Sequence, residues 1–343
     1  IGGMTSGNYD HGNLMSLPEE ILGRIFFSGY LSTKWYNTVC LVLVNRKIRD
    51  LARTYIASVE NVNRIELDAI TRKPSPLSVL GIWSIAQNLV MLDLSFSVLD
   101  FSPELGEMFV KMKATLRGLS LRATGVPDDF VCSYVSKLTQ LKYLSLSQLS
   151  AGKQLITDVG GCALVTLTQL KWLNISMTSI THKTLLSLQS SIPHLQHLDM
   201  YSCRLLTDEA IPALLKWRLQ SLDISNCRLI TLQGFELMCD KRWTPLNSTL
   251  ENLACSYCIS IPVVRGLPLL LQLPKLARLD FRKSTSEVIP KELERTVRMQ
   301  LDVAILVHED QLVGLKDKSV IPASPPRNSI CPILSWPYST TEL

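Results

Sequence analysis

Few reactive side chains in this sequence stand at spacings that chemistry uses. Gly152-Lys153 approaches a phosphate-binding loop, in which backbone N–H groups cradle phosphates and the lysine reaches their oxygens. Ser147 stands where the first glycine belongs, however, and Gln154 where Ser or Thr must follow the lysine. No Gly-x-Ser-x-Gly elbow and no Gly-x-Gly-x-x-Gly occurs. Cys255-x-x-Cys258 has half-zinc or redox spacing, but no second Cys or His pair accompanies it at a suitable distance. His194 and His197 fall on extended chain three residues apart, which sends them to opposite faces and away from a shared metal. The expectation is a protein without catalytic residues, cofactor or metal. What remains is recognition. Alternate residues of short predicted strands supply Phe96, Arg122, Tyr143, Trp172, Met177, His197, Asp199, Tyr201, Asp223, Asn226, Tyr257, Arg278 and Arg282. Aromatics and arginine are the side chains most enriched at binding hot spots. Arg122, Trp172, Met177, His197, Tyr201, Tyr257, Arg278 and Arg282 are therefore the expected substrate-binding set, with Trp172, His197 and Tyr201 running obliquely across neighbouring strands. The plainer reading is a solvated sheet face, with Asp93, Asp199, Asp223 and Asp280 as one column of repeat consensus.

Those positions have meaning only if repeated strands hold them. From His194 to Lys216 the chain reads as a short strand with Leu198 and Met200 on one side. A helix follows, capped by Thr207, with Asp208 and Glu209 near the positive end of its dipole. Aligned on its first apolar anchor, the unit recurs at Val62, Leu89, Leu116, Leu141, Leu170, Leu195, Leu219, Leu250 and Leu276. The steps are 27, 27, 25, 29, 25, 24, 31 and 26 residues. Neither half buries its apolar face alone, so the copies must stack. Five residues after the second anchor stands Ser97, Thr124, Thr178, Cys203, Cys227, Cys258 or Ser284, with Leu149 the exception. Ile156-Thr157-Asp158 and Leu206-Thr207-Asp208 continue the unit into its helix, and Ile180-Thr181 and Ile230-Thr231 do so in part. Ser102-Pro103 and Ser260 with Pro262 fit the same helix-start role. These units resemble the cysteine-containing class of leucine-rich repeats, from near Val62 to near Phe281. The resemblance implies an α/β solenoid, a horseshoe with a parallel inner sheet and outer helices. It also implies that the small residue points inward and bonds backbone groups where the chain leaves the strand.

Composition is compatible with that architecture. Of 343 residues 46% are apolar, enough for a core, and the net charge of +5 is too modest to imply nucleic-acid binding. Nine cysteines, an odd number without compact spacing, fit a reducing compartment. IGGMTSGNYDHGN shows no secretory pattern, and the apolar run from Ile259 to Pro274 is broken by Arg265, Gly266 and prolines, so no membrane span is expected. The first residue is Ile1, which leaves open an incomplete N-terminus. A cytoplasmic or nuclear protein is expected, in which the Asn247-Ser248-Thr249 sequon is accidental.

Residues 1–13 are predicted disordered and 58–290 hold the repeats, about nine by the anchors above. Residues 291–315 form a C-terminal cap, in which Val297, Met299, Leu301, Val303, Ile305 and Val307 alternate as in an end strand. Residues 316–343 form a Pro-rich tail. Residues 14–57 lack the repeat signature. Leu17-Pro18 opens a helix carrying Ile21, Leu22, Ile25 and Phe26, and the segment closes on Val44-Asn45-Arg46-Lys47-Ile48-Arg49. This segment resembles an F-box, although Asn45 and Ile48 replace the usual Cys and Trp. Placed directly before cysteine-containing repeats, it gives the architecture of F-box/leucine-rich-repeat proteins. That resemblance implies a substrate-recognition subunit of an SCF-type cullin-RING ubiquitin ligase. Leu17, Pro18, Ile21, Leu22, Ile25 and Phe26 would dock on a Skp-family adaptor, and the repeats would bind an unknown substrate protein. The alternative is a repeat scaffold unlinked to ubiquitin, whose N-terminal helices only seal the stack.

Overall fold

The computed structural model describes residues 64–66, 90–96, 99–148, 156–240, 244–282, 289–301, 303–305 and 312–313. The F-box-like segment, the predicted disordered N-terminus, the phosphate-loop-like Gly152-Lys153 and the Pro-rich tail lie outside the described residues. One eleven-stranded sheet runs in strict chain order. Its strands are β1 (Arg64–Glu66), β2 (Met91–Asp93), β3 (Gly118–Ser120), β4 (Tyr143–Ser145), β5 (Trp172–Asn174) and β6 (His197–Asp199). They continue as β7 (Ser221–Asp223), β8 (Asn252–Ala254), β9 (Arg278–Asp280), β10 (Val303–Ile305) and β11 (Leu312–Val313). All neighbours are parallel except β10 with β11. The strands β1 to β9 each begin two residues after a predicted anchor.

The register makes a leucine ladder. Leu92, Leu119, Leu144, Leu173, Leu198, Leu222, Leu253 and Leu279 are partners in adjacent strands. All are fully buried, in one cluster that runs the length of the stack. Each such side chain removes an apolar surface worth about 1.5–3 kcal/mol from water, which no single repeat could do for itself.

The strands are short because the chain turns sharply after them. Phe96, Ala123, Met177, Ser202, Asn226 and Tyr257 occupy the same place in six repeats, and all have left-handed backbones with φ of 57–62°. The conformation costs a non-glycine residue roughly 1–2 kcal/mol. The cost is offset because each N–H at this place donates to a carbonyl of the next repeat, as from Met177 to Tyr201 at 2.7 Å and from Asn226 to Ser256 at 2.7 Å. The sequence reading of Phe96, Arg122, Met177, Tyr201, Asn226, Tyr257 and Arg282 as strand residues is thus corrected: they are turn residues, two or three positions past their strands.

Beyond the turn, the small-residue column points inward. Thr124 and Thr178 hydroxyls donate to carbonyls three residues back, both at 2.7 Å. Cys203, Cys227 and Cys258 thiols reach instead to carbonyls of the preceding repeat: Ile175 at 3.1 Å, Met200 at 3.2 Å and Ile224 at 3.3 Å.

The helices lie on the other side, at Pro103–Lys111 (α1), Asp128–Ser133 (α2), Asp158–Ala163 (α3), His182–Ser191 (α4), Ile211–Leu214 (α5), Leu232–Cys239 (α6), Val263–Leu270 (α7) and Lys291–Gln300 (α8). Thr157, Thr181 and Thr231 cap α3, α4 and α6, each hydroxyl accepting the N–H two residues on at 3.2 Å. An aspartate of the preceding repeat grips each of these threonines. Asp128 accepts from the Thr157 N–H at 2.9 Å, Asp158 from Thr181 at 2.8 Å and Asp208 from Thr231 at 2.8 Å, and each also accepts the threonine hydroxyl. Burial alone would raise the Asp158 carboxyl. The hydrogen bonds from Thr181 and Thr184 together outweigh it and hold the group below its ordinary range.

Three helix starts differ from expectation. Thr207 makes no capping bond, and its hydroxyl is buried without a hydrogen-bond partner. The preceding repeat has His182 in the aspartate column, and that side chain pairs with Glu209 at 2.9 Å. Ser102 precedes α1 without a capping bond, and Ser260 donates its hydroxyl to the Arg228 carbonyl at 2.9 Å rather than capping α7. The predicted end strand also divides: Val297 and Met299 belong to α8, with Val297 and Leu301 buried at helical spacing and Met299 exposed, and among its described residues Val303–Ile305 is strand, Val307 lying outside them.

Candidate protein-binding face

From β2 to β9 the first and third residues of each strand point away from the leucine ladder and form the inner face of the sheet. At its N-terminal part Met91, Tyr143 and Trp172 pack into a small apolar cluster with Val90, separate from the main core. Gly118 pairs with both Met91 and Tyr143 in the register. With no side chain on the strand between them, the two larger groups meet across it. Trp172 is consequently only 4% exposed: it is a buried side chain of this face more than a free anchor. His197, its register partner on β6, is half-buried.

The third strand position is a turn brace. Asp93, Asn174, Asp199 and Asp223 accept the N–H two residues on, at 2.9, 2.9, 2.9 and 2.7 Å. Asp280 does the same for Arg282 at 3.3 Å. The column read as consensus thus shapes the exit from each strand. Asn174 also donates to Asp199 at 2.8 Å, across adjacent strands. Asp199 and Asp223 are register partners and both buried. Burial, and then the charge of Asp223, push the Asp199 carboxyl well above its usual range. Burial likewise raises the Tyr201 phenol, with Asp223 adding to it, so Tyr201 offers a neutral hydroxyl at the half-buried margin of the acidic centre.

The arginines have distinct surroundings. The Arg122 guanidinium stands 5.1 Å from the centroid of the Phe96 ring. Arg282 is clamped on Asp280, its Nε donating at 2.9 Å and its Nη2 at 2.7 Å, and its side chain is 16% exposed. Arg278, at the first position of β9, is exposed. Met177 and Tyr257 are half-buried in the turns at one edge of the face. Of the eight residues expected to bind substrate, Trp172, His197 and Tyr201 do lie on adjacent strands or directly after one of them. Met91 and Val90 complete the apolar cluster; sequence reasoning missed them because neither belongs to an aromatic or cationic class.

Chemically, the face presents an apolar patch at one end, a buried acidic centre and an exposed cation at the other. Cys255 and Cys258 are buried thiols outside any disulfide and fill two repeat columns; burial pushes Cys258 up to about 12 and Cys255 well above its usual value, away from the thiolate that metals and redox partners require. Among the described residues no group of three His, Cys, Asp or Glu could hold a metal ion, and no helix is long and apolar enough to cross a membrane.

A family model described as Leucine Rich Repeat matches residues 218–239, one unit of the stack. No curated protein matches the chain. Among solved structures, the Rad7 and Elc1 complex in yeast aligns with 18% identity and a TM-score of 0.48, over 70% of this chain and 69% of that one. The TLR13-ssRNA13 complex aligns with 19% identity and a TM-score of 0.42, over 65% and 33%. The internalin inlF from Listeria monocytogenes aligns with 14% identity and a TM-score of 0.43, over 74% and 64%.

Proposed function

We propose that this chain is the substrate-recognition subunit of an SCF-type cullin-RING ubiquitin ligase. The repeats form a protein-interaction solenoid, and in this reading the inner sheet face holds the protein to be ubiquitinated. The segment 14–57 docks on the Skp-family adaptor through Leu17, Pro18, Ile21, Leu22, Ile25 and Phe26. The chain makes and breaks no bonds itself; holding substrate beside the ligase raises its effective concentration there. The observation that carries this reading is the order of the sequence, an F-box-like Leu17-Pro18 followed by Ile21, Leu22, Ile25 and Phe26 directly ahead of the repeats. The inner face supports it with half-buried His197 and Tyr201 beside an apolar cluster, the mixture that protein interfaces favour.

The test is co-purification of the full chain with the adaptor. Binding is expected, and Leu17→Ala with Pro18→Ala should weaken it while leaving repeat unfolding unchanged. A folded wild-type chain that fails to bind the adaptor overturns the ubiquitin reading.

A further inference from the structure

A second surface stands apart from the inner face. Between the small-residue column and the next helix, Leu205, Leu229 and Ile259 are 48%, 49% and 60% exposed. Leu205 and Leu229 stand two residues after the column cysteine, where the next repeat has Ser260; Ile259 stands one residue after its cysteine, in line with Arg204 and Arg228, and the turn of the repeat before them carries Ser179. The three turns are joined. Thr207 and Leu229 form a parallel bridge, and the Ser260 hydroxyl donates to the Arg228 carbonyl at 2.9 Å. Bridged backbones stand about 5 Å apart, so these turns lie side by side and their exposed side chains share one ridge, with Leu205 and Leu229 in one row and Ile259 in the row beside it. Arg204 and Arg228, each directly before one of the leucines, are exposed on the same ridge. Arg228 is steadied by the Asn226 side chain, to which its Nε donates at 2.9 Å. The nearest carboxylates in sequence are committed elsewhere, Asp208 to Thr231 and Glu209 to His182.

We infer that this ridge docks an extended segment of another protein in which carboxylates alternate with aliphatic side chains. Charge complementarity selects the acids: two guanidiniums recur at repeat spacing and neither has a carboxylate partner among the described residues. The leucines select the aliphatics, because exposed apolar groups in a row gain only from an apolar cover. An extended segment sends alternate side chains to opposite sides, so one register presents its acids to the arginines and the next residues to the leucines. A membrane suits the ridge poorly. Two cations contribute about 1 kcal/mol each at an anionic bilayer, and a strip three turns wide offers little apolar area to insert. The inference is independent of whether residues 14–57 bind an adaptor.

The experiment is fluorescence anisotropy of the full chain with a fluorescein-labelled peptide of alternating aspartate and leucine. Comparisons are a lysine–leucine peptide and phosphatidylserine vesicles. Binding to the acidic peptide is expected, reduced about tenfold by Arg204→Glu with Arg228→Glu and similarly by Leu205→Ser with Leu229→Ser. Lys275→Glu, in the turn before β9 and away from the ridge, should leave it unchanged. All four ridge side chains are exposed, so thermal unfolding of these variants should match the parent. Failure to bind the acidic peptide, equal binding of the lysine peptide, binding of vesicles alone, or binding that the ridge variants leave intact each overturns the inference.

Discussion

His182→Asp should stabilise the protein. Three helix starts in the stack are gripped by an aspartate from the repeat before: Asp128 on Thr157, Asp158 on Thr181 and Asp208 on Thr231. The fourth, at Thr207, meets His182 in that column and leaves a buried hydroxyl without a hydrogen bond. Such a group costs about 1–3 kcal/mol relative to a satisfied one. The substitution gives up the His182–Glu209 pair and sets a carboxylate near Glu209, whose side chain is 69% exposed. Each of these surface effects is worth about 0–1 kcal/mol. The third residue of the receiving turn is Ala210, and Thr184 shows that a Cβ there coexists with an aspartate, since its hydroxyl donates to Asp158 at 2.6 Å. The net expectation is a gain of about 1 kcal/mol, read from urea unfolding. A helix-dipole effect of Asp at the start of α4 would give a similar gain by itself. Thr207→Val separates the two: with the hydroxyl gone, most of the gain should vanish. A gain that survives undiminished in the Thr207→Val background refutes the column argument, as does a loss in the parent.

Three further outcomes follow from the same structure. Leu198→Ala, at a fully buried rung of the leucine ladder, should cost about 2–5 kcal/mol in urea unfolding. Gly106→Ala should cost about 1–3 kcal/mol in the same measurement, because its Cβ would meet the Tyr134 ring packed against α1. Asp199 has a folded pKa raised by burial and then by Asp223, so its contribution to stability is fully present below about pH 4 and is lost as the pH rises through the folded value. Asp223→Asn keeps an acceptor for the Ser225 N–H, as Asn174 does for Ser176. It should flatten the fall in stability between acid and neutral pH, seen by urea unfolding across that range.

The phase of the solenoid was legible because it rests on a one-dimensional signal. A leucine needed at every strand recurs along the chain, and Leu144, Leu173, Leu198 and Leu222 stand in neighbouring strands as that recurrence requires. The Cys and Thr column was legible for the same reason. Features that depend on pairs of repeats were not. Whether Thr207 caps its helix is decided by His182 in the repeat before, and whether Trp172 is free is decided by Gly118 two strands away. The end of the stack misled because Val297 and Leu301 satisfy a helical spacing as well as an alternating one. The inner face was found as a surface, but which of its side chains remain available depends on clamps such as Asp280 on Arg282, which no spacing announces.

The aspartate grips and the cysteine thiols share a direction. Asp128, Asp158 and Asp208 finish the helix start of the unit that comes after them, and Cys203, Cys227 and Cys258 lean on carbonyls of the unit that came before. In these side-chain contacts each new turn of the coil finds its acceptors already laid down, whereas the left-handed turns take their acceptor carbonyls from the unit that follows. A chain emerging from the ribosome can settle one unit at a time in order of synthesis. Trimming from the N-terminal side strips the next unit of the aspartate that closes its helix start, and trimming from the C-terminal side strips the last turn of the carbonyl that offsets its left-handed residue.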